Sequence, residues 1–139
     1  AHRLELEITE SMMMHKPDEA AATMRALRQL GVHLAIDDFG TGYSSLGYLS
    51  RFPIQCLKID RSFVQNVPDS ETDSTIARSI VSLGKSLGLT VVAEGVETQS
   101  QLDFLRQHGC HIAQGYLLGR PLEAARFIEQ LRQQEAALG

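Results

Sequence analysis

The chain has 139 residues, of which 43% are hydrophobic and 22% are charged, and its formal net charge is −4. A chain of this size and apolar content can bury one core, which favours a single globular unit over two domains. The slight negative charge excludes a basic surface for nucleic acid polymers, and no apolar run approaches the roughly 18 residues of a membrane-spanning helix. We therefore expect a cytoplasmic protein, or one anchored to a membrane only through segments upstream of Ala1.

Strand-like and helix-like segments alternate along the chain. The expected strands cover residues 4–9, 33–37, 56–60, 90–94 and 111–114. The expected helices run from Pro17 to Gly31, from 46 to 51, from 74 to 87, from Thr98 to Gly109 and onward from Pro121. This order predicts an α/β fold with a parallel sheet. About five such units amount to a partial TIM-like (β/α) barrel, because a closed barrel needs eight.

The predicted helices carry apolar faces that need cover. Inward-facing residues are expected to be Ile76, Ile80, Leu83 and Leu87 in one helix, Leu102 and Leu105 in the next, and Phe127, Ile128 and Leu131 in the last. Thr98 and Gln101 have the spacing of a capping box. An unclosed barrel wall exposes strand edges and apolar helix faces. We therefore expect either association with another copy, such as a homodimer, or a longer chain of which Ala1 marks a fragment boundary.

The cysteines and histidines suggest no chemistry. Cys56 and Cys110 lie among apolar residues, which favours reduced, buried thiols over a disulfide. His108 and His111 flank Gly109 and do not share a helix face, so a histidine zinc site is not expected.

Ionisable or amide side chains follow nearly every predicted strand. They are Glu7, Glu10, Asp37, Asp38, Lys58, Asp60, Glu94, Glu97 and Gln114. In parallel α/β folds the carboxyl ends of the strands form the edge where sites are built. Two carboxylates about 4 Å apart repel by roughly 4 kcal/mol at an effective dielectric constant near 20. Either the acids are spread apart and solvated, or hard divalent cations such as Mg²⁺, Mn²⁺ or Ca²⁺ hold them together.

The adjacent pair Asp37 and Asp38 is the sharpest local signal. Where the backbone turns at a strand end, two neighbouring carboxylates can reach two cations about 3.5 to 4 Å apart, an arrangement suited to phosphoryl transfer. Asp38, Phe39 and Gly40 match the metal-binding tripeptide of protein kinases, but the other kinase motifs are absent. Gly40 and Gly42 are followed by no Gly-Lys-Ser/Thr, so they indicate a tight turn rather than a Walker loop.

Five separated strings together resemble the EAL family of cyclic di-GMP phosphodiesterases. They are ELEITES at 5–11, AIDDFGTGYSSLGYL at 35–49, LKIDRSFV at 57–64, VVAEGVET at 91–98 and QGYLLGRPL at 114–122. Their order and intervals are typical of the family. The resemblance spans nearly the whole chain, and it implies that residues 1–139 are the C-terminal portion of a single EAL phosphodiesterase domain.

The resemblance implies a two-metal hydrolysis of one phosphodiester bond of cyclic di-GMP, giving linear pGpG. By analogy, Glu7 and Asp37 bind the first of two divalent cations, Mg²⁺ or Mn²⁺, and Asp37 with Asp38 binds the second. Lys58 and Glu94 are the expected catalytic residues, with Lys58 beside the attacking water and Glu94 as general base or second-metal ligand. The expected supporting residues are Asp60, Glu97, Gln114 and, as a contact to substrate, Tyr116. Glu10 is expected to anchor the loop 40–45, which in the family couples the site to dimer contacts.

One departure limits the analogy. The family's Glu-Ala-Leu motif, whose glutamate is a metal ligand, and an asparagine ligand expected before Glu7 are absent from the 139 residues. We therefore expect this chain alone to be inactive and the full-length protein to carry an upstream sensor or GGDEF-type domain.

Two alternatives to the phosphodiesterase remain. One is a catalytically inactive receptor module that binds cyclic di-GMP after losing metal ligands. The other is an enolase-like lyase, because Lys58 and Asp60 at a strand end with acids on neighbouring strands also suit enolate chemistry.

Overall fold

The structure is a computed structural model that describes residues 2–41 and 46–138. Five strands form one sheet in the order β1-β2-β3-β4-β5, and every neighbouring pair is parallel. The strands are β1 (Glu5–Thr9), β2 (His33–Phe39), β3 (Cys56–Ile59), β4 (Thr90–Ala93) and β5 (Ile112–Ala113). The predicted parallel α/β fold is therefore confirmed, with all five strands where the sequence placed them to within a few residues.

Helices connect the strands. They are α1 (Glu10–His15), α2 (Pro17–Gln29), α3 (Leu46–Leu49), α4 (Arg61–Val64), α5 (Glu71–Ser86), α6 (Gln99–Gln107) and α7 (Ala124–Leu138). The short helices α1 and α4 were not predicted, because helices of six and four residues show too little apolar periodicity. The capping box at the start of α6 is present as predicted, with the Gln101 N–H donating to the Thr98 hydroxyl.

The two faces of the sheet have different partners. Leu34 and Ile36 on β2, and Leu57 and Ile59 on β3, belong to the main core with the helices. The opposite face carries a small separate cluster of Ala35, Cys56 and Val92. Because side chains alternate along a strand, the residues two positions beyond this cluster, toward the strand ends, share its face.

Helix α5 presents small side chains to the sheet in addition to most of its predicted face, because Ile80 is buried and Ile76 and Leu83 pack against the core. Its buried residues are Ser74, Ala77, Ile80, Val81 and Gly84, whereas Leu87 is 37% exposed. A Cβ atom at Gly84 would lie 2.3 Å from Cγ2 of Val91 on β4. Close approach of the helix to the sheet therefore selects small residues on the inner face and displaces the larger ones to its margins.

The apolar face of α7 is at the surface, which corrects the prediction that it is buried. Phe127, Ile128 and Leu131 are 52%, 48% and 42% exposed. Nearby, the segment after β5 also exposes Leu118 and Leu122. An incomplete barrel wall was expected to expose some apolar helix faces. The prediction was wrong in expecting other residues of this chain to cover the face of α7.

Two further expectations can be compared with the structure. Both cysteines are free thiols; Cys56 is buried as predicted, whereas Cys110 is only half-buried. Burial raises the pKa of the Cys56 thiol to about 11. Within residues 2–41 and 46–138, no helix combines the length and apolar character needed to cross a membrane.

Candidate active site

The register of the sheet brings four charged side chains to one rim. Glu7 on β1 pairs with Ala35 on β2, which pairs with Cys56 on β3, so these three residues share one face of the sheet. Asp37 and Lys58 lie on the same face, two positions beyond Ala35 and Cys56. Lys58 in turn pairs with Val92 on β4. Glu94 follows Val92 by two positions, directly after β4 ends. The residues therefore share one sheet face, at the carboxyl ends of the strands.

Lys58 is the centre of this rim. Its side chain is 7% exposed, and its Nζ atom lies 2.5 Å from Oε1 of Glu7, 2.6 Å from Oε1 of Glu94 and 3.8 Å from Oδ1 of Asp37. Burial opposes the charged form, but the hydrogen bonds to Glu7 and Glu94 and the charge of Asp37 prevail and raise the pKa of Lys58. The ammonium is therefore protonated at neutral pH and acts as a fixed positive charge.

Asp38 lies at an irregularity within β2, one residue before the strand ends. Its φ is +55°, in the left-handed region that few residues other than glycine adopt, and the register of β2 with β3 shifts between Ile36 and Phe39. The Asp38 N–H donates to Oδ1 of Asp37 at 2.9 Å. Burial, together with the negative charges of Asp37 and Asp60, raises the pKa of Asp38. The backbone turn predicted at Asp37 and Asp38 is thus replaced by an irregularity inside β2, which brings another carboxylate into an already negative region.

Asp60 follows β3 and caps the start of helix α4. It is the N-cap of α4 and accepts hydrogen bonds from the Ser62 N–H at 2.9 Å and from the Ser62 hydroxyl. Burial opposes ionisation, but these hydrogen bonds outweigh it and lower the pKa of Asp60. An aspartate that follows a strand and opens a helix is thus held by the first turn of that helix.

A cavity of about 240 Å³ adjoins Glu94. It is lined by Arg61, Glu94, Gly95, Glu97, Gln114, Gly115 and Tyr116. Arg61 donates to Oε1 of Glu97 at 2.9 Å, while Tyr116 is 53% exposed with the Arg120 guanidinium 4.6 Å from its ring centroid. Sequence reasoning predicted Glu97, Gln114 and Tyr116 but missed Arg61, although its place immediately after Asp60 at a strand end was a usable signal.

Glu10 contacts Gly40, the residue that directly follows β2. It is 3% exposed at the start of α1, where the helix dipole favours a carboxylate. Its Oε2 accepts a hydrogen bond from the Gly40 N–H at 3.2 Å, and among the described residues its Oε1 has no partner. Residues 42–45 of the loop that Glu10 was predicted to anchor lie outside the described part of the chain.

The donor chemistry of the rim fits hard divalent cations. Glu7, Asp37 and Glu94 face a single ammonium, so negative charge is in excess at the rim. Carboxylate oxygens are the ligands that Mg²⁺ and Mn²⁺ prefer. Within the described ranges, however, no group of three or more acidic, histidine or cysteine residues is arranged to hold a metal ion. Glu7 and Glu94 instead point at Lys58.

Comparison with known proteins places these features in one family. The model of the EAL domain family matches residues 1–121. The cyclic di-GMP phosphodiesterase NbdA of Pseudomonas aeruginosa is 53% identical over 129 residues, which are 93% of this chain and 16% of that protein. The bifunctional diguanylate cyclase/cyclic di-GMP phosphodiesterase MucR of the same organism is 48% identical over 88% of this chain and 18% of its own length. The chain thus spans about one-sixth of the length of these curated relatives.

Solved structures share the fold. The PaMucR phosphodiesterase in complex with c-di-GMP superposes with a TM-score of 0.88 at 48% identity, over 91% of this chain and 51% of that one. A manganese and cyclic di-GMP complex of BlrP1 from Klebsiella pneumoniae has a TM-score of 0.79 at 40% identity, over 86% of this chain and 31% of that one. The five strand and helix units are therefore part of a TIM-like barrel, as the sequence predicted.

Proposed function

This chain belongs to the EAL domain family, and from that membership we propose that it serves the hydrolysis of cyclic di-GMP to linear pGpG. The observation that carries the proposal is the contact of Lys58 with Glu7, Glu94 and Asp37 at the carboxyl rim of a parallel sheet. In a TIM-like barrel this rim is where catalytic groups are placed. A lyase of the enolase type is no longer favoured, because the relatives named above are phosphodiesterases.

The chain is proposed to form the C-terminal portion of one EAL domain within a longer protein that also carries a sensor or diguanylate-cyclase-type domain. Support comes from its share of the length of its relatives and from the bifunctional MucR. Because the family's Glu-Ala-Leu motif is absent from the 139 residues, these residues alone are proposed to be inactive.

Glu7, Asp37 and Asp38 are the residues proposed to hold two divalent cations, Mg²⁺ or Mn²⁺. Bound cations of this kind activate water and neutralise charge that accumulates on a phosphate. For this chain, binding requires that Glu7 turn from the ammonium of Lys58 toward the cation. Asp37 is the more available ligand, since its oxygen lies 3.8 Å from Lys58 rather than in a short contact.

Lys58 is proposed to stabilise the negative charge that develops on the phosphoryl oxygens. While Glu7 and Glu94 contact it, the raised pKa of Lys58 keeps the side chain protonated at neutral pH. A buried, preorganised ammonium interacts strongly with developing charge, since little water screens it. Its contact with Glu94 also fixes where the charge is presented.

Glu94 is proposed to orient the attacking water and accept its proton. The Lys58 ammonium holds one of its oxygens at 2.6 Å, and Glu94 lines the adjacent cavity. Glu97 and Gln114 form the polar wall of that cavity, Tyr116 offers an aromatic surface for a guanine base, and Asp60 keeps the end of β3 in place. Glu10 is proposed to anchor the segment after Gly40, and through it a contact with a second copy of the protein.

A second candidate function is a receptor that binds cyclic di-GMP without cleaving it. The observation that favours it is that Glu7 and Glu94 are engaged by Lys58, with no ready metal-ligand set in the portion of the chain described. The two functions share a ligand and differ in turnover.

One experiment separates these possibilities. The protein in its natural length is incubated with cyclic di-GMP and Mn²⁺, binding is measured by calorimetry, and the product is identified by chromatography. The phosphodiesterase predicts linear pGpG, and a loss of turnover of at least about 100-fold in Lys58→Met. The control Lys85→Met changes an exposed lysine on α5 and should retain activity. Binding without product would establish the receptor, and neither binding nor product would refute both.

A further inference from the structure

A single buried amide fixes the turn between β4 and α6 that follows Glu94. The Gln101 side chain is 5% exposed, and its Oε1 accepts hydrogen bonds from the Glu97 N–H at 2.7 Å and the Thr98 N–H at 3.0 Å. Its Nε2 donates to the carbonyl oxygen of Gln65 at 3.0 Å. Both polar ends of the amide are therefore used, and they act on different elements.

Gln65 is the C-cap of α4, the short helix that begins just after Lys58 and Asp60. A second bridge joins the same two elements on the cavity side, where Arg61 donates to Glu97 at 2.9 Å. The stem of Arg61 lies against Gly95, where a Cβ atom would come within 2.4 Å of Cγ of Arg61. Hydrogen bonds thus join the turn after β4 to both ends of helix α4.

The β3–β4 register, with the Glu94 N–H donating to the Ile59 carbonyl oxygen at 3.2 Å, brings the backbones of Lys58 and Glu94 together, and the hydrogen bonds of Gln101 and Arg61 hold the segments that follow them. Lys58 lies three positions before the first residue of α4, and Glu94 begins the turn that Gln101 holds. We propose that Gln101 is a positioning residue that sets the contact between Lys58 and Glu94, a role that rests on the proposed function of these two residues. Catalytic groups lose much of their effect when displaced by an ångström or less.

Helix capping alone does not account for the amide. In a capping box, glutamate at this position accepts the same backbone hydrogen bonds as glutamine. Only the Nε2 donor distinguishes the two, and its acceptor is Gln65 on α4. The variant Gln101→Glu therefore keeps the cap and removes the bridge, because two oxygen atoms cannot hydrogen-bond without a proton between them.

The test compares Gln101→Glu with Gln99→Glu. The second variant adds the same charge to α6 at an exposed position that takes no part in the hydrogen bonds between α4 and the turn. With cyclic di-GMP and Mn²⁺, we expect kcat to fall at least about fivefold in Gln101→Glu with KM unchanged, and to stay within about twofold of wild type in Gln99→Glu. Equal kcat values for the two variants would overturn the proposal. If Gln101→Glu does not fold, the neutral variant Gln101→Met is measured against the same control.

A second measurement does not depend on turnover. The carbon-13 shift of the Glu94 carboxylate is recorded without metal or substrate, and Lys58→Met supplies the value for a lost contact. The Glu94 signal of Gln101→Glu should move toward that value, while that of Gln99→Glu should match wild type. A fall in kcat with an unmoved Glu94 signal would contradict the positioning role. If the protein cleaves no cyclic di-GMP at all, the proposed function fails, but this signal still decides whether Gln101 sets the contact.

Discussion

The Nζ atom of Lys58 lies 2.6 Å from a carboxylate oxygen of Glu94, where Lys58 sits near the end of β3 and Glu94 directly follows the adjacent strand β4. The same ammonium contacts Glu7 on β1. One buried cation therefore joins residues from three strands, and the stability and chemistry of the rim both depend on it.

Replacement of Lys58 by methionine should destabilise the protein by about 1 to 3 kcal/mol, because Glu7 and Glu94 lose their counter-charge while the site keeps its shape. Urea unfolding measures this cost. Added Mn²⁺ should raise the unfolding midpoint of Lys58→Met more than that of the wild type, since a divalent cation can take over the role of the ammonium. A variant as stable as Lys85→Met in metal-free buffer would contradict the central place of Lys58.

Asp38→Asn should stabilise the metal-free protein at pH 7. The folded-state pKa of Asp38 is raised, so its ionised form is disfavoured by folding and stability is lost as the pH rises through that pKa. Asparagine removes this cost and also tolerates a positive φ. We expect a gain on the order of 0.5 kcal/mol that disappears as the pH falls below about 3.9, the value of an unfolded aspartate. A gain independent of pH would show that charge is not its cause.

Asp60→Asn should have the opposite sign. The folded-state pKa of Asp60 is lowered, so its contribution is present above the unfolded pKa and is lost as the pH falls through the folded one. Asparagine still accepts the hydrogen bond from the Ser62 N–H, so the variant isolates the charge. Thermal unfolding at pH 7 should reveal a loss of about 0.5 to 1 kcal/mol, which shrinks in acid. The proposed cause fails if the loss is equally large at pH 3.

Gly115→Ala should cost about 2 to 4 kcal/mol and reduce turnover, since overpacking against backbone cannot be relieved by a rotamer change. A Cβ atom there would lie 2.1 Å from the carbonyl oxygen of Val96 and 2.3 Å from its nitrogen, in the turn that follows Glu94. Gly119→Ala is the matched control, because nothing lies within 4 Å of its added Cβ. Similar denaturation midpoints for the two variants would mean that the turns do not interlock.

The exposed face of α7 should promote association. Phe127→Gln combined with Leu131→Gln removes apolar side chains that are 52% and 42% exposed, so the free energy of unfolding should fall by only about 1 kcal/mol. Sedimentation equilibrium should show a shift toward monomer relative to wild type. Gln133→Asn, an exposed polar change on the same helix, should leave the association constant as it was. Unchanged association in the double variant would place any contact between copies elsewhere.

The rim could be predicted because it follows from strand order and a period of two. Acidic residues near the carboxyl ends of successive parallel strands lie at one edge, and Glu7 and Asp37 within β1 and β2, with Glu94 just after β4, all contact Lys58 there. What sequence could not determine is which cation they face. The choice between Lys58 and a divalent ion depends on side-chain rotamers and on a register shift between Ile36 and Phe39.

Helix faces were predicted less well, for a physical reason. Periodicity is read from large apolar residues, whereas α5 turns Ala77 and Gly84 toward the sheet because the two elements lie so close. In the same way, the spacing of Thr98 and Gln101 predicted a helix cap, but the hydrogen bond of Gln101 to Gln65 joins segments that are distant in sequence. Contacts of that kind depend on tertiary packing and leave no local pattern.

The positive charge of Lys58 belongs to the chain itself, and this affects how the rim behaves when divalent cations are scarce. Because the chain brings its own counter-ion, Glu7 and Glu94 keep their places when soluble ions are scarce. A shortage of divalent cations would then leave the rim folded, with its carboxylates already in place when cations return.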